Sequence, residues 1–283
     1  MTTAILSQTK CQLGEGPLWH PERGTLFWFD ILSHRLFEHD GTAERHWQFD
    51  RAVSAAGWVD RDRLLVASER DLFVFDLETG AEEHIVDLEA DIPGNRSNDG
   101  RADPFGGFWI GTMSYDAAPG AGAIYRYYRG ELRRILSDIT ITNAICFAPD
   151  GSTAYFADTV TDEIRKVALD AEGWPSGAPE RFVDLTDNGW HPDGAVVDVQ
   201  GNLWNAQWGH SRVACYASDG TFLRAVPFPA TQISCPCFGG PDLGRLFATS
   251  AAVGTGAEDP QAGLTFVADL DGLRGQAEHR VIL

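Results

Sequence analysis

Asp150-Gly-Ser-Thr-Ala-Tyr-Phe156 reads as a polar turn running into a short, β-prone apolar stretch, and it is one of six such passages. The others are Arg23-Gly-Thr-Leu26-Phe-Trp28, Asp60-Arg-Asp-Arg-Leu64-Leu-Val66, Phe105-Gly-Gly-Phe108-Trp-Ile110, Val199-Gln-Gly-Asn-Leu203-Trp204 and Asp242-Leu-Gly-Arg-Leu246-Phe247. Taking the first apolar residue of each as an anchor gives positions 26, 64, 108, 154, 203 and 246, spaced by 38, 44, 46, 49 and 43 residues. Strand-like runs bounded by Gly, Pro, Asp or Asn fill the intervals, and no long window shows helical periodicity. Several units continue into a second hairpin through turns such as Asp76-Leu-Glu-Thr-Gly80, Asp170-Ala-Glu-Gly173 and Ala217-Ser-Asp-Gly220. Six four-stranded units of this length predict an all-β, six-bladed β-propeller, one domain over residues 1–283. The short β-prone ends Ala4-Ile-Leu6 and Arg280-Val-Ile-Leu283 are expected to close the ring, with N- and C-terminal strands paired in one blade.

Composition narrows the function. At 43% hydrophobic and 11% aromatic residues, the chain has enough apolar surface for a substantial core and is not a disordered polymer. Its 22 Lys and Arg against 41 Asp and Glu leave a net charge of −19, which argues against nucleic acid or an anionic membrane as partner. The first ten residues lack the basic-then-apolar pattern of a secretory leader, and no apolar run is long enough to span a bilayer. Five scattered cysteines read as reduced thiols, so a cytoplasmic protein is expected. Cys235-Pro-Cys237 has no second Cys or His pair at zinc-site spacing and reads as buried structural thiols. A monomer or weak homo-oligomer is expected.

The repeat also serves as a ruler. Ten or eleven residues before each anchor, where the innermost strand should begin, stand Glu15, Val53, Asn98, Asn143, Asp193 and Cys235. Four of these six carry side-chain oxygens, and each would project toward the axis from a different blade. Oxygens converging in that way suit a hard cation. Taken singly, Glu15 is also a plausible turn carboxylate, and Asn98-Asp99-Gly100 and Pro192-Asp193-Gly194 are ordinary turn chemistry. Asn143, inside the apolar stretch Ile139-Thr-Ile-Thr-Asn-Ala-Ile145, needs a partner if buried. His191, two residues before Asp193, reads first as a surface or supporting residue and otherwise as one lining the pocket mouth, and Trp190, Trp204 and Trp208 read mostly as blade core, with one candidate sugar-stacking platform among them. The segment from Ser250 to Gly263 reads as a flexible rim loop. Neither a Gly-x-Ser-x-Gly elbow nor a phosphate-binding loop in its proper context is present.

These motifs together resemble the senescence-marker-protein, gluconolactonase and regucalcin family of six-bladed propellers. The resemblance is carried by Leu13-Gly-Glu15-Gly-Pro-Leu-Trp19, Asn95-Arg96-Ser-Asn98-Asp99-Gly100, Gly111-Thr-Met113, Thr142-Asn143-Ala144, Pro192-Asp193-Gly194 and Cys237-Phe-Gly-Gly240. It implies a divalent metal held by Glu15, Asn143 and Asp193, with Asn98 close by or reached through water. Ca²⁺ leads that reading, and Zn²⁺, Mn²⁺, Mg²⁺ and Fe²⁺ are compatible with it. It further implies substrate contacts from Arg96 and Asn98. The loop Ser114-Tyr-Asp-Ala-Ala-Pro-Gly-Ala-Gly122 departs from the family pattern, and Asp116 is the candidate there for an acidic substrate contact.

The expected activity is a metal-dependent sugar lactonase that opens an aldono-1,4- or 1,5-lactone of gluconolactone type to its acid. Metal-activated water would attack with Asp193 as general base. Arg96 would bind substrate oxygens, or else pair with Asp99 or Glu15. The alternatives are a metal-dependent phosphotriesterase or esterase on the same scaffold, and a non-catalytic calcium-binding propeller.

Overall fold

A computed structural model describes residues 3–270 and 272–283. Its strands form six four-stranded antiparallel sheets, and the innermost strand of each packs beside those of its neighbours, so the sheets close into a ring. Blades 1 to 6 begin with the inner strands Gly14–His20, Val53–Asp60, Asn95–Ala102, Thr142–Phe147, His191–Val197 and Ile233–Gly239. Every anchor of the sequence repeat falls in the second strand of its blade. Among the described residues there is no α-helix, and so none long and apolar enough to cross a membrane.

The apolar triplets follow from where the core lies. A blade buries both faces, so its second strand has no solvent side and no reason to alternate. In Leu26-Phe-Trp-Phe29, Phe27 and Phe29 pack with Leu64, Val66, Phe73 and Phe75 of blade 2. Leu26 and Trp28 pack the other way, with Cys237 and Phe247 of blade 6. The pattern holds round the ring: six apolar clusters each fill one wedge between adjacent blades. All five cysteines are free and buried.

The ring closes in the last blade, where Thr3–Ser7 pairs antiparallel with Thr265–Asp269, the final strand. Arg280–Leu283 is not that partner, contrary to the expectation for this segment. It runs instead across the underside of the ring, where Val281 N–H donates to Trp58 O at 2.9 Å and Ile282 N–H to Gly106 O at 2.8 Å. Just before it, Gln276 Nε2 donates to Phe147 O and Val197 O, both at 3.1 Å, and Glu278 pairs with Arg101. The strand position beside Thr3–Ser7 is already filled by Thr265–Asp269, so the tail satisfies its backbone on the channel floor. The rim segment after Ser250 is likewise pinned. Val253 N–H donates to Gln12 O at 2.9 Å, and Asp259 Oδ2 accepts Thr231 N–H at 2.7 Å.

Arg101 and Glu278 are both largely buried, so each depends on the other for its charge. Glu278→Leu is expected to lower unfolding free energy by about 3–5 kcal/mol, since it strands a buried guanidinium. The double variant Arg101→Met/Glu278→Leu should recover much of that loss. Urea unfolding that shows Glu278→Leu as stable as wild type would remove the pair from its place in the fold.

Candidate active site

The inner strands share an irregularity. Pairing with the second strand slips between Glu15 and Leu18, Val53 and Ala55, Ser97 and Gly100, Asn143 and Cys146, Pro192 and Ala195, and Ile233 and Pro236. A bulge adds an unpaired residue and re-aims the side chains around it. Here it does so at one level on all six strands. Gly16 adopts φ +53°, and a Cβ there would lie 2.3 Å from Ser54 O of blade 2. At Gly194 a Cβ would lie 2.2 Å from Cys235 Sγ of blade 6. The bulges therefore nest against the next blade, and these two glycines permit the approach.

Glu15, Asn98, Asn143 and Asp193 consequently line one cavity of about 590 Å³, together with Arg96. All five side chains belong to buried residues. Val53 and Cys235, at the matching positions of blades 2 and 6, are not among its lining. Among the described residues no group of three His, Cys, Asp or Glu is placed to hold a metal, and the oxygen set here has two carboxylates with an amide as the third donor.

A hydrogen-bond chain orients the amides. Arg96 Nη1 donates to Asn98 Oδ1 at 2.7 Å and to Ser97 O at 2.9 Å. Asn98 Nδ2 donates to Thr142 O at 2.8 Å and, at 3.3 Å, to Asn143 Oδ1. Asn143 Nδ2 donates to Thr159 Oγ1 at 2.8 Å, and Thr159 donates on to Pro192 O at 2.8 Å. With its nitrogen so occupied, Asn143 offers an oxygen to the cavity, while the Asn98 oxygen is engaged by Arg96. Arg96 makes no ion pair among the described residues, although Glu15 and Asp193 both act on its charge.

Two carboxylates outside the cavity hold the strands that deliver its donors. Asp30 accepts Gln12 N–H at 2.9 Å and Leu13 N–H at 3.0 Å, just ahead of Glu15. Asp158 accepts Thr140 N–H at 2.8 Å and Ile141 N–H at 2.9 Å, just ahead of Asn143. Asp30, Asp158 and Thr159 escaped the sequence reading. The signal for the first two is an Asp closing the second strand of blades 1 and 4 alike.

Electrostatics give the site its character. Burial and the neighbouring Asp99 charge push the Glu15 carboxyl up to about 8. Asp193 is raised well above the ordinary carboxylate range by burial, then by Glu15 and Asp99. Asp99, which accepts Ile145 N–H at 2.7 Å, is pushed up to about 6 by burial. Buried negative charge thus exceeds the positive charge that Arg96 supplies. Two carboxylates and an amide oxygen, short of a counter-charge, fit a hard divalent cation.

Around the mouth the structure sorts the remaining candidates. His191 lines the cavity, with Nδ1 2.6 Å from Asp162. Trp208 lines it as well, whereas Trp204 is wholly buried in the blade core and Trp190 stacks 3.7 Å from the Arg212 guanidinium. Asp116 is exposed and is not among the lining residues, whereas its neighbour Tyr115 is.

Residues 13–252 match the SMP-30/Gluconolactonase/LRE-like region. The chain is 39% identical to the L-arabinolactonase of Azospirillum brasilense over 275 residues, 93% of this chain and 90% of the other. It is 34% identical to the pentonolactonase XacC of Haloferax volcanii, over 89% of this chain and 86% of that one. Among solved structures, the calcium-binding protein regucalcin from Agrobacterium tumefaciens superposes with a TM-score of 0.96 at 40% identity, covering 99% of this chain and 97% of the other.

The raised carboxyls make a stability prediction whose sign is fixed. Glu15 ionises near 4.5 when unfolded but near 8 when folded, so the folded state holds its proton longer. That contribution to stability is complete below 4.5 and is lost as pH rises toward about 8. In chelator, the thermal midpoint should therefore fall over this window, and Glu15→Gln should flatten the fall. A chelated wild type with a pH-independent midpoint would contradict it.

Proposed function

The chain belongs to the SMP-30/gluconolactonase/LRE-like family, and from that premise we propose that it is a metal-dependent sugar lactonase acting on aldono-1,4- or 1,5-lactones. The observation that carries the reading is the convergence of Glu15, Asn143 and Asp193 beside Arg96 in one cavity. Glu15, Asn143 and Asp193 would hold the cation. When bound, it would offset the buried carboxylate charge and polarise the lactone carbonyl.

The chain's own residues supply the rest. Asp193 is the general base: an Oδ atom holds the attacking water, takes its proton, and returns it to the ring oxygen as the acyl–oxygen bond breaks. Arg96 binds substrate oxygens with the N–H groups that Ser97 and Asn98 leave free, and Asn98 keeps the guanidinium in place. Met113, Ile141 and Leu32 wall the cavity and limit water around the reacting ester. The support for a sugar lactone comes from the relatives, whose names are those of an arabinolactonase and a pentonolactonase.

The test is acid release from pentono- and hexonolactones, followed with a pH indicator and corrected for spontaneous hydrolysis. Turnover should vanish with chelator and return with a divalent cation. Asp193→Asn should lower kcat by at least about 10²-fold with the fold intact by circular dichroism. Retained turnover in that variant would sink Asp193 as the base. Thr159→Val removes the group that orients Asn143, and should weaken cation affinity by about 10–100-fold in calorimetry. Affinity within twofold of wild type would show that Asn143 does not depend on it.

A further inference from the structure

The cavity is chemically divided. Its floor holds the Glu15 and Asp193 carboxyls, but its mouth carries a collar of apolar side chains from different blades. Tyr115, Val160 and Val253 are 45%, 55% and 42% exposed, and they come from blades 3, 4 and 6. Half-buried Leu32, Ile141 and Trp208 fill the gaps between them and the floor. Large apolar side chains left in water around one opening mark a ligand surface.

Most polar groups at this level are already engaged, His191 Nε2 and the Trp208 indole N–H excepted. Thr159 uses its hydroxyl as both acceptor and donor, the Tyr115 hydroxyl donates to Glu69 at 2.5 Å, and His191 Nδ1 is held by Asp162. A hydroxyl-bearing substituent would lose its water here and find few partners in exchange, whereas an apolar one loses nothing. Arg96 is the one Lys or Arg among the lining residues, and it lies at the floor, so the collar offers no cation to an anionic substituent. The volume of about 590 Å³ lies in the range that accepts a drug-sized ligand, more than a small sugar ring occupies.

We propose that the same site hydrolyses lactones whose exocyclic substituent is an apolar chain, with the ester at the floor and the chain against Val160, Val253 and Trp208. This inference rests on the lactone-hydrolysis reading above. Water oxygen bonds to the acyl carbon, the acyl–oxygen ring bond breaks, and the leaving alkoxide takes a proton. The hydroxy acid then ionises and releases one proton to solvent.

The experiment uses the full chain loaded with a divalent cation, and 1,4-lactones with γ-substituents lengthened from hydrogen to butyl, beside a pentono-1,4-lactone. The value of kcat/KM should rise with each methylene, by up to about fourfold where burial is complete. Val160→Ser and Val253→Ser, both at exposed positions, should flatten the rise and leave pentonolactone turnover within twofold. Pentonolactone turnover with a flat or falling alkyl series overturns the collar and leaves the sugar reading standing. A rising alkyl series without sugar turnover overturns the sugar reading and upholds the collar. No turnover of either substrate overturns both, and a rise untouched by the two variants overturns the placement of the chain.

Discussion

Every blade buries both faces against its neighbours, and the rest of the molecule depends on that constraint. The apolar wedges absorb the side chains of the second and third strands. The axis is left to the inner strands, whose shared bulges turn side chains out of the pleat. A polar cavity in the middle of an apolar protein is thus a result of packing geometry. The bulges nest at Gly16 and Gly194, so the strands that carry the donors are set by close approach between blades.

The axis carries two charge systems with opposite solutions. On the floor of the channel, Arg101 is matched by Glu278 from the C-terminal tail. Above it, Glu15, Asp99 and Asp193 are crowded without equivalent positive charge, and burial raises all three. One system is complete within the chain and the other asks for something from outside. That contrast within one channel is the strongest physical sign that the upper end is a binding site.

Much of this was legible in the residues. The six turn-and-triplet passages fall on second strands, and counting back from them lands on the inner strands at Glu15, Asn98, Asn143 and Asp193. Both succeed because a two-sided sheet and a repeated bulge impose a period on the chain. What escaped lacks such a period. Thr159 lies in a 3-10 turn between strands, and its bond to Asn143 depends on how the turn folds over the neighbouring blade. Arg280–Leu283 has strand composition, and nothing local says that the place beside Thr3–Ser7 is taken by Thr265–Asp269. Asp116 stands out in the sequence for its charge, whereas the residue of that loop lining the cavity is its neighbour Tyr115.

The closure between Thr3–Ser7 and Thr265–Asp269 also has a consequence in time. On the ribosome Thr3–Ser7 is made before every other strand of the ring but belongs to the blade finished last, so it has no edge to join until Thr265–Asp269 has emerged. Blades 1 to 5 can assemble in order of synthesis, but the wedge between blades 6 and 1, with Trp28, Phe37 and Phe247, stays open until then. The Glu15 donor sits beside that seam and Asp193 belongs to a blade made late. The candidate site therefore comes into being only when the ring shuts.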